Sequence, residues 1–150
     1  MPNEAAVAGV AGIAHVIQLS IAPVFLLSGV SAMLGVLSHR LSRIIDRART
    51  LEARLDGARA EHAVPVRTEL SLLGRRARLV SHAISLCTIC ALLICAVVIG
   101  LFLGAFFGKD VSYGVGVLFI AALSALAWGL VTFLREIYLA LRNLRIGPVP

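Results

Sequence analysis

Residues 13–37 read IAHVIQLSIAPVFLLSGVSAMLGVL, and residues 38–56 continue as SHRLSRIIDRARTLEARLD with no helix breaker at the junction. The first part is apolar for about 25 residues, enough to cross a hydrocarbon layer about 30 Å thick at about 1.5 Å of rise per residue. The second part is dense in arginine yet keeps apolar residues at steps of three and four. A single helix, half in lipid and half in water, satisfies both patterns. That junction predicts an all-α membrane protein.

Composition points the same way. Of 150 residues, 59% are hydrophobic and 15% charged, whereas soluble domains hold about 45–50% and about 25% respectively. The net charge of +6 raises nucleic acid as a partner, but the basic residues cluster beside the apolar runs, where arginine acts as a topology signal. No nucleic-acid partner is expected. Ahead of the first run, Glu4 is the only charged side chain, so the basic segment of a signal peptide is missing and a retained N-terminus is expected. Cys87, Cys90 and Cys95 lie inside an apolar run, where they read as packing residues rather than disulfide partners or metal ligands.

Two more apolar runs follow, and the expected spans are about residues 13–37, 79–107 and 111–134. Only Phe107-Gly-Lys-Asp-Val separates the second from the third, which predicts a tight antiparallel helical hairpin. Arginines from Arg40 to Arg78 crowd the segment between the first two spans, and Arg135, Arg142 and Arg145 follow the third; the opposite side holds only Lys109. Cytoplasmic flanks collect basic residues, so the N-terminus is expected outside and the C-terminus in the cytoplasm.

The segment at about 38–78 is not read as a linker. Leu41, Ile44, Ala48, Leu51, Leu55 and Ala58 form one heptad-like seam, and Val66, Leu70, Leu73, Ala77, Val80 and Ile84 form another. They predict a cytoplasmic coiled-coil hairpin in which Asp56-Gly57 weakens the end of the first arm and Pro65 sits in the first turn of the second. Leu130, Leu134, Ile137, Leu141 and Leu144 repeat the spacing, so a C-terminal helix at about 135–146, stopped by Gly147-Pro148, is expected to join the hairpin.

The motifs Gln18-x4-Pro23-x-Phe25-Leu-Leu, Arg40-Leu-Ser-Arg-Ile-Ile-Asp-Arg-Ala-Arg and Glu69-Leu-x-Leu-Leu-Gly-Arg-Arg-Ala-Arg-Leu, in a three-span layout, are the basis of a resemblance. Over roughly Ile13 to Arg145 the chain resembles a family of bacterial membrane proteins catalogued as domain of unknown function 2721. The resemblance implies a bacterial inner-membrane location and carries over no activity, cofactor or catalytic residue.

Several residues are candidates for function. Ser28, Ser31, Gly35 and Ser38 fall at steps of three and four on the first span and make one stripe of small and hydroxyl side chains. Such a stripe either packs closely against another helix or lines a water-filled path in a homo-oligomer. Gln18, on the same face as His15 near the outer end, is either wet at the interface or part of a ring at the mouth of that path. Gly100-x3-Gly104-x3-Gly108, with Ala121, Ala125 and Gly129, suggests close packing of the second and third helices or of subunits.

Asp46 is flanked by Arg43, Arg47 and Arg49. It belongs either to a solvated, charge-balanced face or to a network in which Asp46 and Glu69 meet Arg75, Arg76 or Arg43 across helices. Unpaired arginines near Arg40 and Arg78 are expected to bind anionic lipid head groups at about 1 kcal/mol per basic residue.

The sequence holds no Gly-rich phosphate loop, nucleophile elbow, His-Glu-x2-His motif or intramembrane carboxylate pair, so neither an enzyme nor a cofactor is expected. Two expectations remain for a self-associating protein of the lipid bilayer. One is an ion or small-solute channel lined by the first helix, with Arg40 and Arg43 at its inner mouth. The other is a scaffold or adaptor whose basic cytoplasmic bundle binds head groups or a protein partner.

Overall fold

The computed structural model describes the backbone of residues 2–55, 60–108 and 110–142, and the side chains of 12–53, 55, 66–108 and 110–141. These form three helices, α1 (Pro2–Leu55), α2 (Ala60–Phe107) and α3 (Ser112–Arg142), with no strand among the described residues. Each contains a stretch long and apolar enough to cross a membrane, within Gly12–Ala53, Val66–Phe107 and Ser112–Leu141. The chain is an all-α, multi-pass membrane protein. The expected breaks at Asp56-Gly57 and Gly147-Pro148 lie outside the described residues. α2 begins at Ala60, ahead of the Pro65 start that the sequence suggests.

α1 continues through Pro23, which is buried and lacks the N–H that the Leu19 carbonyl would otherwise receive. The turn between α2 and α3 has two local causes. Gly108 closes α2 at φ 61°, a left-handed conformation that costs least at glycine. Asp110 then accepts the Ser112 amide at 3.0 Å, and Val115 donates to the Val111 carbonyl at 3.0 Å as α3 starts. Hydrogen bonds from the Ser112 hydroxyl and amide hold the Asp110 carboxyl below the usual carboxylate range.

The chain divides into two compact units, residues 1–33 with 87–126 and residues 34–86 with 127–150. In the first unit, α1 buries Val16, Ser20, Pro23 and Val30, and α2 buries Cys87, Cys90, Ile94, Val97 and Gly104. α3 adds Ala122. Within the membrane-length stretches, hydroxyls satisfy themselves along their own helices: Ser20 donates to the Val16 carbonyl at 2.8 Å and Ser124 to the Ile120 carbonyl at 2.8 Å. Of the groove expected from Ala121, Ala125 and Gly129, Gly129 is buried and Ala125 half-buried, while Ala121 is exposed and its neighbour Ala122 buried. Gly100 makes the expected close approach: a Cβ there would stand 3.2 Å from Val115 Cγ2.

In the second unit, α1 buries Leu37, Ile44 and Leu51, and α2 buries Leu73, Val80 and Ala83. The remaining described seam residues of the two arms, from Leu41 to Ile84, are half-buried, so the apolar face of each arm points inward. α3 departs from expectation. Leu130, Leu134 and Leu141 are exposed, and the inward face consists of Gly129, Thr132 and Glu136.

Gly100→Ala asks Val115 to move by a few tenths of an ångström and gains helix propensity, so its stability should stay within about 1 kcal/mol of wild type. Gly100→Leu forces more atoms into the same contact and should destabilise by about 1–3 kcal/mol. Unfolding in mild detergent, followed by the loss of helical circular dichroism, checks both values.

Candidate functional site

Glu136 is the chemical centre of the second unit. Its side chain is only 1% exposed, and one carboxylate joins all three helices. Arg76 of α2 donates from Nε (3.1 Å) and Nη2 (2.9 Å) to Glu136 Oε1. Arg40 of α1 donates from Nη1 to Oε2 at 3.1 Å. The Arg40 guanidinium also stands over the Phe133 ring, 5.3 Å from its centroid. A glutamate is almost never fully buried unless paired, and this one is paired twice. The two arginines remain partly solvated, with side chains 35% and 26% exposed, and the triad carries a net charge of one positive unit.

A second ion pair links the arms. Arg47 Nε and Nη2 reach Glu69 Oε1 at 3.3 and 2.9 Å, with both side chains about half exposed (52% and 46%). Water screens this pair, which places it in the class worth about 0–1 kcal/mol.

The expected charge network is therefore rewired. Glu69 pairs with Arg47 rather than with Arg75 or Arg76, and Arg76 goes to Glu136. Asp46 enters no ion pair among the described residues; its backbone carbonyl accepts the Thr50 hydroxyl at 2.9 Å. Arg43 and Arg75 are exposed and likewise without an ion pair among the described residues. Arg40 is tied to Glu136.

Glu136 was not among the candidates that charge clustering singled out. One signal does mark it. It stands seven residues after Gly129 and fourteen after Ala122, two small residues that are buried on the same helix.

Two cavities adjoin the triad. One of about 510 Å³ is bounded by Arg40, Glu69, Leu72, Leu73, Arg76 and Ile137, with Ala140 and Leu141. The other, of about 290 Å³, is bounded by His39, Arg40, Arg43, Ile44, Arg47, Leu73 and Arg76. The stripe on α1 has a different setting: Gln18, Ser28, Ser31, Gly35 and Ser38 are all exposed, and a Cβ at Gly35 would meet nothing within 4 Å. Ser31 donates to the Leu27 carbonyl at 2.9 Å. Packing among the described residues does not account for that face.

Glu136→Ala would leave two guanidiniums without their shared counter-charge and should destabilise the protein by about 3 kcal/mol. Glu136→Gln keeps the shape and one acceptor and should cost less, while Arg47→Ala should cost under about 1 kcal/mol. Denaturant unfolding of the three variants in the same detergent gives this order.

No curated protein and no solved structure matches the chain. One family does, over residues 20–146, a segment that includes Arg40, Arg76 and Glu136. On that match the chain belongs to the DUF2721 family, described as proteins of unknown function.

Proposed function

We propose that the chain self-associates in a cell inner membrane, N-terminus outside and C-terminus in the cytoplasm, and that the oligomer is an ion or small-solute channel lined by α1. One observation carries this reading: Ser28, Ser31, Gly35 and Ser38 share a helix face that is exposed among the described residues. A strip of hydroxyls and missing side chains gains little from lipid tails, but it suits either a neighbouring helix or a column of water. Three helices enclose no pore alone, whereas copies of one helix around an axis do. The orientation rests on the arginines between the first two spans and after the third. Arg43, without an ion pair among the described residues, supplies positive charge for an anion-favouring inner mouth.

The second reading is a membrane scaffold or adaptor whose basic cytoplasmic bundle binds anionic head groups or a protein partner. It is favoured by Arg43, Arg49, Arg75 and Arg78, which are exposed and without ion pairs among the described residues. Such arginines contribute about 1 kcal/mol each near an anionic bilayer surface.

Native mass spectrometry from nanodiscs should show more than one copy per particle. Planar-bilayer recording should then show conductance that Ser31→Leu abolishes, because a bulky apolar side chain on the stripe blocks and dewets the path. A monomer, or conductance indifferent to that substitution, rejects the channel.

A further inference from the structure

The cavity of about 290 Å³ has a wall of unusual charge. His39, Arg40, Arg43, Arg47 and Arg76 bound it, while the buried Ile44 and Leu73 supply its apolar lining. The carboxylates attached to this wall are already engaged, Glu136 by Arg40 and Arg76 and Glu69 by Arg47. Four guanidiniums against two carboxylates leave two positive charges in excess, and Arg43 contributes its whole charge to that excess.

Each guanidinium has five N–H donors, and the ion pairs use one from Arg40 and two each from Arg47 and Arg76. Many donors therefore remain around the cavity, beside a low-dielectric lining that strengthens their field. The volume is just below the roughly 300–1,000 Å³ of sites for drug-sized ligands, which favours a small polar group.

We propose that this cavity binds a dianionic phosphate monoester, presented by a lipid head group of the phosphatidic acid type or by a soluble phosphate compound. A phosphate monoester carries about −1.5 to −2 charges at neutral pH and matches the excess of two, whereas a carboxylate or a phosphodiester matches half of it. Guanidinium forks suit phosphate oxygens because they bind them by paired, charge-assisted hydrogen bonds. His39 and Arg40 lie within three residues of Leu37, where the apolar run ends, so a lipid phosphate is one natural source. This inference deepens the head-group reading above by giving it one cavity, and it does not depend on conduction.

The test uses the full-length protein in phosphatidylcholine nanodiscs. Phosphorus NMR follows titration with inorganic phosphate, and native mass spectrometry counts lipids retained from nanodiscs doped with phosphatidic acid or with phosphatidylglycerol. Arg43 has no ion pair to lose among the described residues, so Arg43→Gln is expected to keep the fold while weakening phosphate or phosphatidic acid binding about tenfold. Arg43→Lys should fall between it and wild type. Arg67→Gln removes the same charge from an exposed position outside the cavity wall and should leave binding unchanged.

Retention of phosphatidic acid over phosphatidylglycerol identifies the lipid as the source. Binding of inorganic phosphate alone, still sensitive to Arg43→Gln, upholds the cavity and overturns the head-group reading. Retention of anionic lipid that Arg43→Gln and Arg67→Gln reduce equally upholds diffuse head-group binding and overturns the cavity. Binding of neither ligand overturns both.

Discussion

A carboxylate withdrawn from water is tolerable only if its surroundings replace the water, and at Glu136 the replacement comes from two helices at once. Arg40 and Arg76 occupy both oxygens with three hydrogen bonds. This requirement restricts the second unit more tightly than its apolar contacts do. Turning α3 by one residue swings Glu136 through about 100° and leaves both guanidiniums facing either the apolar Ile137 or a third positive charge, Arg135. Apolar packing imposes no comparable penalty, because where the surroundings of a helix are themselves apolar, a leucine loses little by pointing outward. The ion triad thus selects the rotation of α3, and Thr132 and Gly129 follow onto the buried face.

The same distinction explains which features were legible in the sequence. The three long helices were readable because length and hydropathy respond to the bilayer directly, whatever the packing. The inward faces of the arms were readable too, since Ile44, Leu51, Leu73 and Val80 lie in arginine-rich segments where apolar and polar sides contrast. On α3 that contrast reverses. Leu130, Leu134 and Leu141 repeat with helical spacing and yet are exposed, while small and polar residues turn inward. Among apolar surroundings the informative residues are the small ones and the charged exception. The step Ala122, Gly129, Glu136 held the answer that the leucines concealed.

The charged residues were legible as a cluster but not as pairs. Neighbours in sequence left Asp46 either on a solvated face or in a cross-helix network, because Arg43, Arg47 and Arg49 surround it along the helix. Those contacts are exposed, worth only a few tenths of a kcal/mol, and too weak to dictate side-chain choice. The pairings that form connect α1 with α2 at Arg47–Glu69 and each of them with α3 at Glu136. No local spacing rule reaches across 60 or 96 residues, the separations of the Arg76–Glu136 and Arg40–Glu136 pairs.

Arg40 and Arg76 have two allegiances, and this connects the structural core of the unit to its chemistry. Both hold Glu136, and both bound the basic cavity beside it. The triad alone leaves one uncompensated positive charge next to the charge of Arg43, which has no ion pair among the described residues, an arrangement that repels itself. A dianion seated there would relieve part of that repulsion, to the extent that the partial exposure of these side chains leaves it unscreened. Binding and folding of this unit would then be linked. An anion that binds only the folded arrangement must stabilise it by RT ln(1 + L/Kd), with L the free anion concentration, and the position of α3, fixed through the same arginines, would be more firmly held with the cavity filled than with it empty.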